Sequence, residues 1–118
     1  MIGSVSFVTI DANDPERLAT FWCEVLGTDV TDRVDDGRFV FLGRVDGTML
    51  CFQRVPEPKE GKNRVHLDVK VDDLEAATER LVSLGATWDG FDRAIGDDRW
   101  RTLLDPEGNE FDIFPPSG

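Results

Sequence analysis

Arg64-Val65-His66-Leu67-Asp68-Val69-Lys70-Val71, followed by Asp72-Asp73-Leu74-Glu75, is the stretch whose reading decides the fold. Eight positions alternate polar and apolar, the period of a strand with one buried face. Asp72, with Glu75 three residues on, has the spacing of a capping box, so the strand runs straight into a helix. Leu74, Ala77, Leu81 and Leu84 supply that helix with an apolar face, and Gly85 closes it. The stretch holds the only histidine in the chain. It also opens the second half of a chain that is built twice.

The first half carries the same order. Ser4 to Ile10 is β-branched and aromatic and reads as a strand. Asp14-Pro15 starts a helix with an N-cap and a proline where a missing N–H costs nothing. Leu18, Phe21, Trp22, Val25 and Leu26 fall on one helical face, and Gly27 ends it. Strands are expected at Asp29 to Arg33, Arg38 to Arg44 and Thr48 to Arg54, separated by the turn signals Asp35-Asp36-Gly37 and Asp46-Gly47. Val55 to Asn63 is polar, holds two prolines and reads as a linker.

After the helix of the second half come a short strand at Ala86 to Asp89, a flexible acidic loop at Gly90 to Asp98, and a strand at Arg99 to Leu104. The turn Asp105-Pro106-Glu107-Gly108-Asn109 then leads to a last strand, Glu110 to Phe114. The order is βαβββ twice. Gly27 and Gly85 stand 58 positions apart, and that spacing lays Asp14 on Asp72; Gly47 and Gly108 stand 61 apart. An internal repeat of this kind fixes the architecture more firmly than any one motif. The expectation is one α+β domain over 1–118, with module one at 1–54, a linker at 55–63 and module two at 64–118.

Composition narrows the partners. With 24 acidic and 13 basic residues the net charge is −11, which argues against nucleic acid, whose binding needs a basic face. No apolar run approaches the roughly 20 residues that span a bilayer, and the N-terminus lacks a basic start and an apolar signal core. No membrane partner is expected, and the cytoplasm is the expected compartment. Cys23 and Cys51 lack CxxC spacing and read as buried free thiols. No phosphate loop, nucleophile elbow, dinucleotide fingerprint or zinc-finger spacing is present.

Several of these pieces together resemble the vicinal oxygen chelate superfamily, the glyoxalase/bleomycin-resistance/extradiol-dioxygenase group, and within it the small glyoxalase-like domain proteins. They are Asp14-Pro15-Glu16-Arg17-Leu18-Ala19 leading to Phe21-Trp22 and Leu26-Gly27, then Val65-His66-Leu67-Asp68-Val69, Leu84-Gly85-Ala86, and Asp105-Pro106-Glu107-Gly108-Asn109-Glu110-Phe111. The resemblance implies paired βαβββ modules with mixed sheets curled around a cleft, commonly in a homodimer. It also implies a divalent metal held by the first and last strand of each module.

Strand alternation puts His66, Asp68 and Lys70 on the side opposite the apolar face, and likewise Glu110, Asp112 and Phe114 in the last strand. His66 and Glu110 therefore take the second module's two ligand places. In the first module the repeat spacing puts Val8 and Met49 there, and neither ligates a hard ion. Two ligands fall short of the three usual in catalytic centres. The function expected is thus small-molecule binding of glyoxalase-like type without a complete metal site and with no cofactor, sequestering a cationic or aromatic ligand. Its expected lining is His66, Asp68, Trp100, Glu110, Asp112 and Phe39, with Trp88 a further stacking surface. The alternative is a metal-dependent lyase, isomerase or dioxygenase acting on a small oxygenated substrate through His66 and Glu110, with these two also the candidate catalytic pair. A third class is a regulatory module that keeps the fold and has lost the site.

Overall fold

A computed structural model of the chain describes residues 1–116. The chain forms two compact units, Met1–Pro58 and Lys59–Gly118, so the boundary falls inside the stretch read as a linker. Residues 55–58 belong to the first unit, where Asn13 Nδ2 donates to the carbonyls of Val55 and Glu57, each at 2.9 Å.

The first unit runs β1 (Val8–Ala12), α1 (Pro15–Leu26), β2 (Val30–Val34), β3 (Phe39–Leu42) and β4 (Leu50–Arg54). Its sheet has the order β1-β4-β3-β2, with β1 parallel to β4 and the other pairs antiparallel. The second unit runs β5 (Leu67–Lys70), α2 (Leu74–Ser83), β6 (Thr87–Trp88), β7 (Arg93–Ile95), β8 (Asp98–Leu104) and β9 (Glu110–Phe114). Its order is β5-β9-β8-β6, with β5 parallel to β9 and β7 paired to the start of β8. The result is an α+β fold of two open, mixed sheets, each carrying one helix. Among the described residues no helix is long and apolar enough to cross a membrane.

Helix α1 forms as its sequence dictates. The Asp14 side chain accepts from the Arg17 N–H, and Gly27 takes the left-handed conformation at φ 68°. Its buried face, with Leu18, Phe21 and Trp22, joins a core that includes Val40, Leu42, Leu50 and Phe52 of the sheet. The Phe21 and Trp22 rings meet edge to face at 5.3 Å. On the exposed side Glu16 is held below the usual carboxylate range, first by its hydrogen bond from Arg33.

Four expectations shift. Strand β1 starts at Val8, not Ser4, because its partner β4 begins only at Leu50, opposite Val8. Strand β5 starts at Leu67, opposite Phe111, so Arg64 to His66 precede the ladder. The cap of α2 is Asp73, whose carboxylate accepts from the Ala76 N–H at 2.9 Å, and not Asp72. The stretch read as a flexible loop from Gly90 to Asp98 contains β7, zipped to β8 through Arg93↔Trp100 and Ile95↔Asp98.

Helix α2 buries Leu74, Thr78 and Leu81, where the apolar pattern named Ala77. Thr78 is inside because it has polar company. Its hydroxyl donates to the Leu74 carbonyl at 2.7 Å and accepts from Arg101 Nη1 at 2.9 Å. Arg101 is 6% exposed. It also reaches Asp92 at 2.6 Å and Glu75 at 3.4 Å, and its guanidinium lies over the Trp88 ring at 4.1 Å.

Both cysteines are free. Burial pushes the Cys51 thiol up, against hydrogen bonds from Thr9 and Val40 that act the other way. In the native protein Cys51 is expected to react with a thiol-specific disulfide reagent at least about tenfold more slowly than free cysteine. Full labelling should come only on unfolding, which absorbance of the released thiolate reads directly.

Candidate metal and ligand site

The site is built by the register of three neighbouring strands in the second unit. In β9 Phe111 and Ile113 are buried, which turns Glu110, Asp112 and Phe114 to the other face. Parallel pairing of β5 with β9 sets Asp68 beside Asp112, and antiparallel pairing with β8 sets Thr102 on the other flank of Asp112. The Thr102 hydroxyl donates to Asp112 Oδ1 at 2.7 Å. His66, one residue before β5, brings Nδ1 to 3.2 Å from Asp68 Oδ1 and 3.8 Å from Asp112 Oδ2.

Two carboxylates side by side on adjacent strands repel, and such a pair is destabilising unless positive charge is placed between them. Here the imidazole supplies the third corner. Ligand atoms from His66, Asp68 and Asp112 all lie within 4.8 Å of one another. One nitrogen and two carboxylate oxygens are a donor set that suits a divalent cation, and three protein ligands are the number found in open, catalytic sites. The residues present fit the metal that the resemblance implies. The second unit by itself contributes one more donor than the His66 and Glu110 pair read from the sequence.

A groove of about 860 Å³ adjoins this cluster. Asp68 and Asp112 form one part of its lining, Asp97, Asp98, Arg99 and Trp100 from the β7–β8 hairpin another, and Phe114, Pro115 and Pro116 the rest. The structure thus brings Asp68, Asp112 and Trp100 to one groove, with His66 joined to it through Asp68. Phe114 lines the groove from the face that alternation gave it, whereas Thr102, Asp97 and Asp98 were not singled out from sequence. Thr102 shares its strand parity with Trp100, which is the signal that could have named it.

Glu110 is placed differently. Its carboxylate is engaged by Lys62 Nζ at 2.5 Å, by Lys59 Nζ at 3.8 Å and by the Asn63 N–H at 3.3 Å. The Lys62 hydrogen bond is the main cause that holds this carboxyl below the usual range, against partial desolvation. Phe39 lies in the first unit, with the Arg38 guanidinium over its ring at 5.3 Å. Trp88 gives a face to Arg101 and donates Nε1–H to the Phe91 carbonyl at 3.3 Å. Val8 and Met49 are neighbours in the first unit, where the Val8 N–H donates to the Met49 carbonyl at 2.9 Å, and neither side chain offers a hard donor.

The sequence profile of the glyoxalase-like domain matches residues 7–114. This chain belongs to the glyoxalase-like domain family. The glyoxalase-like chain is similar to the glutathione transferase FosA of Serratia marcescens, at 24% identity over 96% of this chain and 81% of that protein. Among solved structures it is similar to the fosfomycin resistance protein FosX of Listeria monocytogenes, complexed with Mn(II) and a dihydroxypropylphosphonic acid. That likeness has a TM-score of 0.80 and 16% identity, covering 99% of this chain and 93% of that one. It is also similar to a glyoxalase/bleomycin resistance protein/dioxygenase family enzyme of Burkholderia phytofirmans, with a TM-score of 0.78 and 21% identity, covering 94% and 97%. At these identities the structural likenesses establish the fold alone, the vicinal oxygen chelate fold.

Proposed function

We propose that this glyoxalase-like chain binds a divalent cation on His66, Asp68 and Asp112 and receives a small oxygenated molecule in the adjoining groove. The observation that carries this reading is the in-register pair Asp68 and Asp112 with the imidazole of His66 beside both. The Mn(II) present in FosX, a protein of the same fold, supports it. A divalent ion here supplies Lewis acidity toward a bound oxygen. The chain's own residues do the rest: Thr102 orients Asp112, and Trp100 with Phe114 gives the groove apolar surface that holds a small molecule and displaces water. This assigns the metal to Asp68 and Asp112 with His66, and leaves Glu110 with its lysines.

Calorimetric titration of metal-free protein with Mn(II) tests the reading. The expected result is saturable binding of one ion per chain, strengthened when an oxygen-chelating small molecule is present. Absence of binding by folded protein at millimolar Mn(II) overturns it.

A second reading takes the same groove without a metal. Four aspartates around Trp100 and Phe114 suit a flat, cationic molecule, through charge attraction and ring stacking. A planar cationic dye at low salt should then bind wild type and lose affinity about tenfold in Trp100→Ala. Equal binding by the variant rules that reading out. The homodimer implied by the family resemblance is checked by sedimentation of the same preparation.

A further inference from the structure

We propose that Glu110 is a positioning residue for His66: by tying Lys62 and Asn63 to β9, it sets where the imidazole stands beside Asp68 and Asp112. The inference rests on the site reading above and gives a role to a carboxylate that this reading leaves without one.

His66 is the one member of the cluster outside a strand. Asp68 and Asp112 are held by paired backbone, whereas β5 begins only at Leu67. What holds the chain just before His66 is Asn63 and its contacts with Glu110. Asn63 Nδ2 donates to the Val65 carbonyl at 3.2 Å, next to His66, and to the Glu110 carbonyl at 3.2 Å on β9. The Asn63 N–H donates to Glu110 Oε1 at 3.3 Å, and Lys62 Nζ reaches Oε2 at 2.5 Å. Both oxygens of Glu110 are therefore occupied by the segment that delivers His66. Asn63 Oδ1 is buried and accepts no hydrogen bond from the described residues. That orphan fits an amide whose two hydrogens are both committed to bridging Val65 and Glu110.

The geometry separates this role from two others. The ligand atoms that converge are those of His66, Asp68 and Asp112, whereas the oxygens of Glu110 face Lys62, Lys59 and Asn63. A purely structural group would hold the sheet, yet these contacts run to residues 59–63, outside every strand. Truncating Glu110 removes the side-chain ties to Lys62 and the Asn63 N–H, which should loosen this segment while the Asn63 bond to the backbone carbonyl of residue 110 and the β5–β9 ladder stay in place.

Because the chain has one histidine, nuclear magnetic resonance sees a single imidazole. In metal-free Glu110→Ala, the His66 ring resonances are expected to move toward those of histidine in an unstructured peptide. Amide exchange at Asn63 should rise about tenfold or more, while the Val71 N–H, bonded to the Phe114 carbonyl, stays protected. Glu110→Gln keeps an acceptor for the Asn63 N–H and should restore most of the His66 shift. Unchanged His66 resonances in Glu110→Ala overturn the proposal. So does protection lost evenly across β5 and β9, which makes Glu110 a general stabiliser. Broadening of the His66 signals by Mn(II) should need about tenfold more Mn(II) in Glu110→Ala than in wild type. Wild-type protein that shows no broadening counts against the cation site alone, and the metal-free resonances still decide the role of Glu110.

Discussion

Replacing His66 with alanine, or Asp112 with asparagine, is expected to weaken Mn(II) binding by at least about 100-fold. That is the upper end of what outer-sphere partners of a metal cost, and a direct ligand should cost no less. With His66 gone the site keeps two carboxylates and no nitrogen donor. With Asp112→Asn it loses a charge and one of two oxygens, since the amide oxygen that remains is the acceptor for the Thr102 hydroxyl, which donates to Asp112 Oδ1 at 2.7 Å. Thr102→Val should have the smaller effect of an orienting residue, about tenfold. Calorimetry on the three variants ranks them, and equal affinity in wild type and Asp112→Asn would place any bound ion elsewhere.

The second large effect is on stability. Asp105 is 3% exposed. Its Oδ1 accepts from the backbone N–H of Glu107 at 2.9 Å and of Asn109 at 3.0 Å, while Asn109 Nδ2 lies 3.0 Å from Oδ2. The Asp105 N–H returns to the Asn109 carbonyl at 2.8 Å. Asp105→Ala orphans two backbone donors in a part-buried turn, at about 1–3 kcal/mol each. A loss of about 3 kcal/mol and a fall of at least about 10 °C in Tm are expected, read by thermal unfolding. Asp105→Asn keeps one carbonyl oxygen and should cost roughly half as much. The turn also fixes the register Leu104↔Glu110 and thereby Thr102↔Asp112. Asp105→Ala should therefore lower metal affinity in whatever protein remains folded.

Much of this was legible from the residues. Asp14-Pro15 and Gly27 marked both ends of α1, and Glu110 to Phe114 marked β9 with the bounds it has. Alternation in β9 put Asp112 on the face opposite Phe111 and Ile113. The same alternation places Arg101 with Leu103 on the inward face of β8, so the buried arginine could have been anticipated. An arginine is not counted as core by apolar pattern, and its partners Thr78, Asp92 and Trp88 come from three separate segments.

By itself the sequence determined the first βαβββ module and, in the second, every element but β7, because strand and helix periods and their caps are local properties of neighbouring residues. It also determined which residues share a face within each strand. Only the tertiary structure decided which carboxylate meets the histidine. Glu110 and Asp112 have the same parity, and alternation cannot choose between them. The choice was made by parallel register, which sets Asp68 beside Asp112, and by Lys59, Lys62 and Asn63, which claim Glu110. Register is a pairing between distant segments, and it is fixed by the turn and the packing that join them.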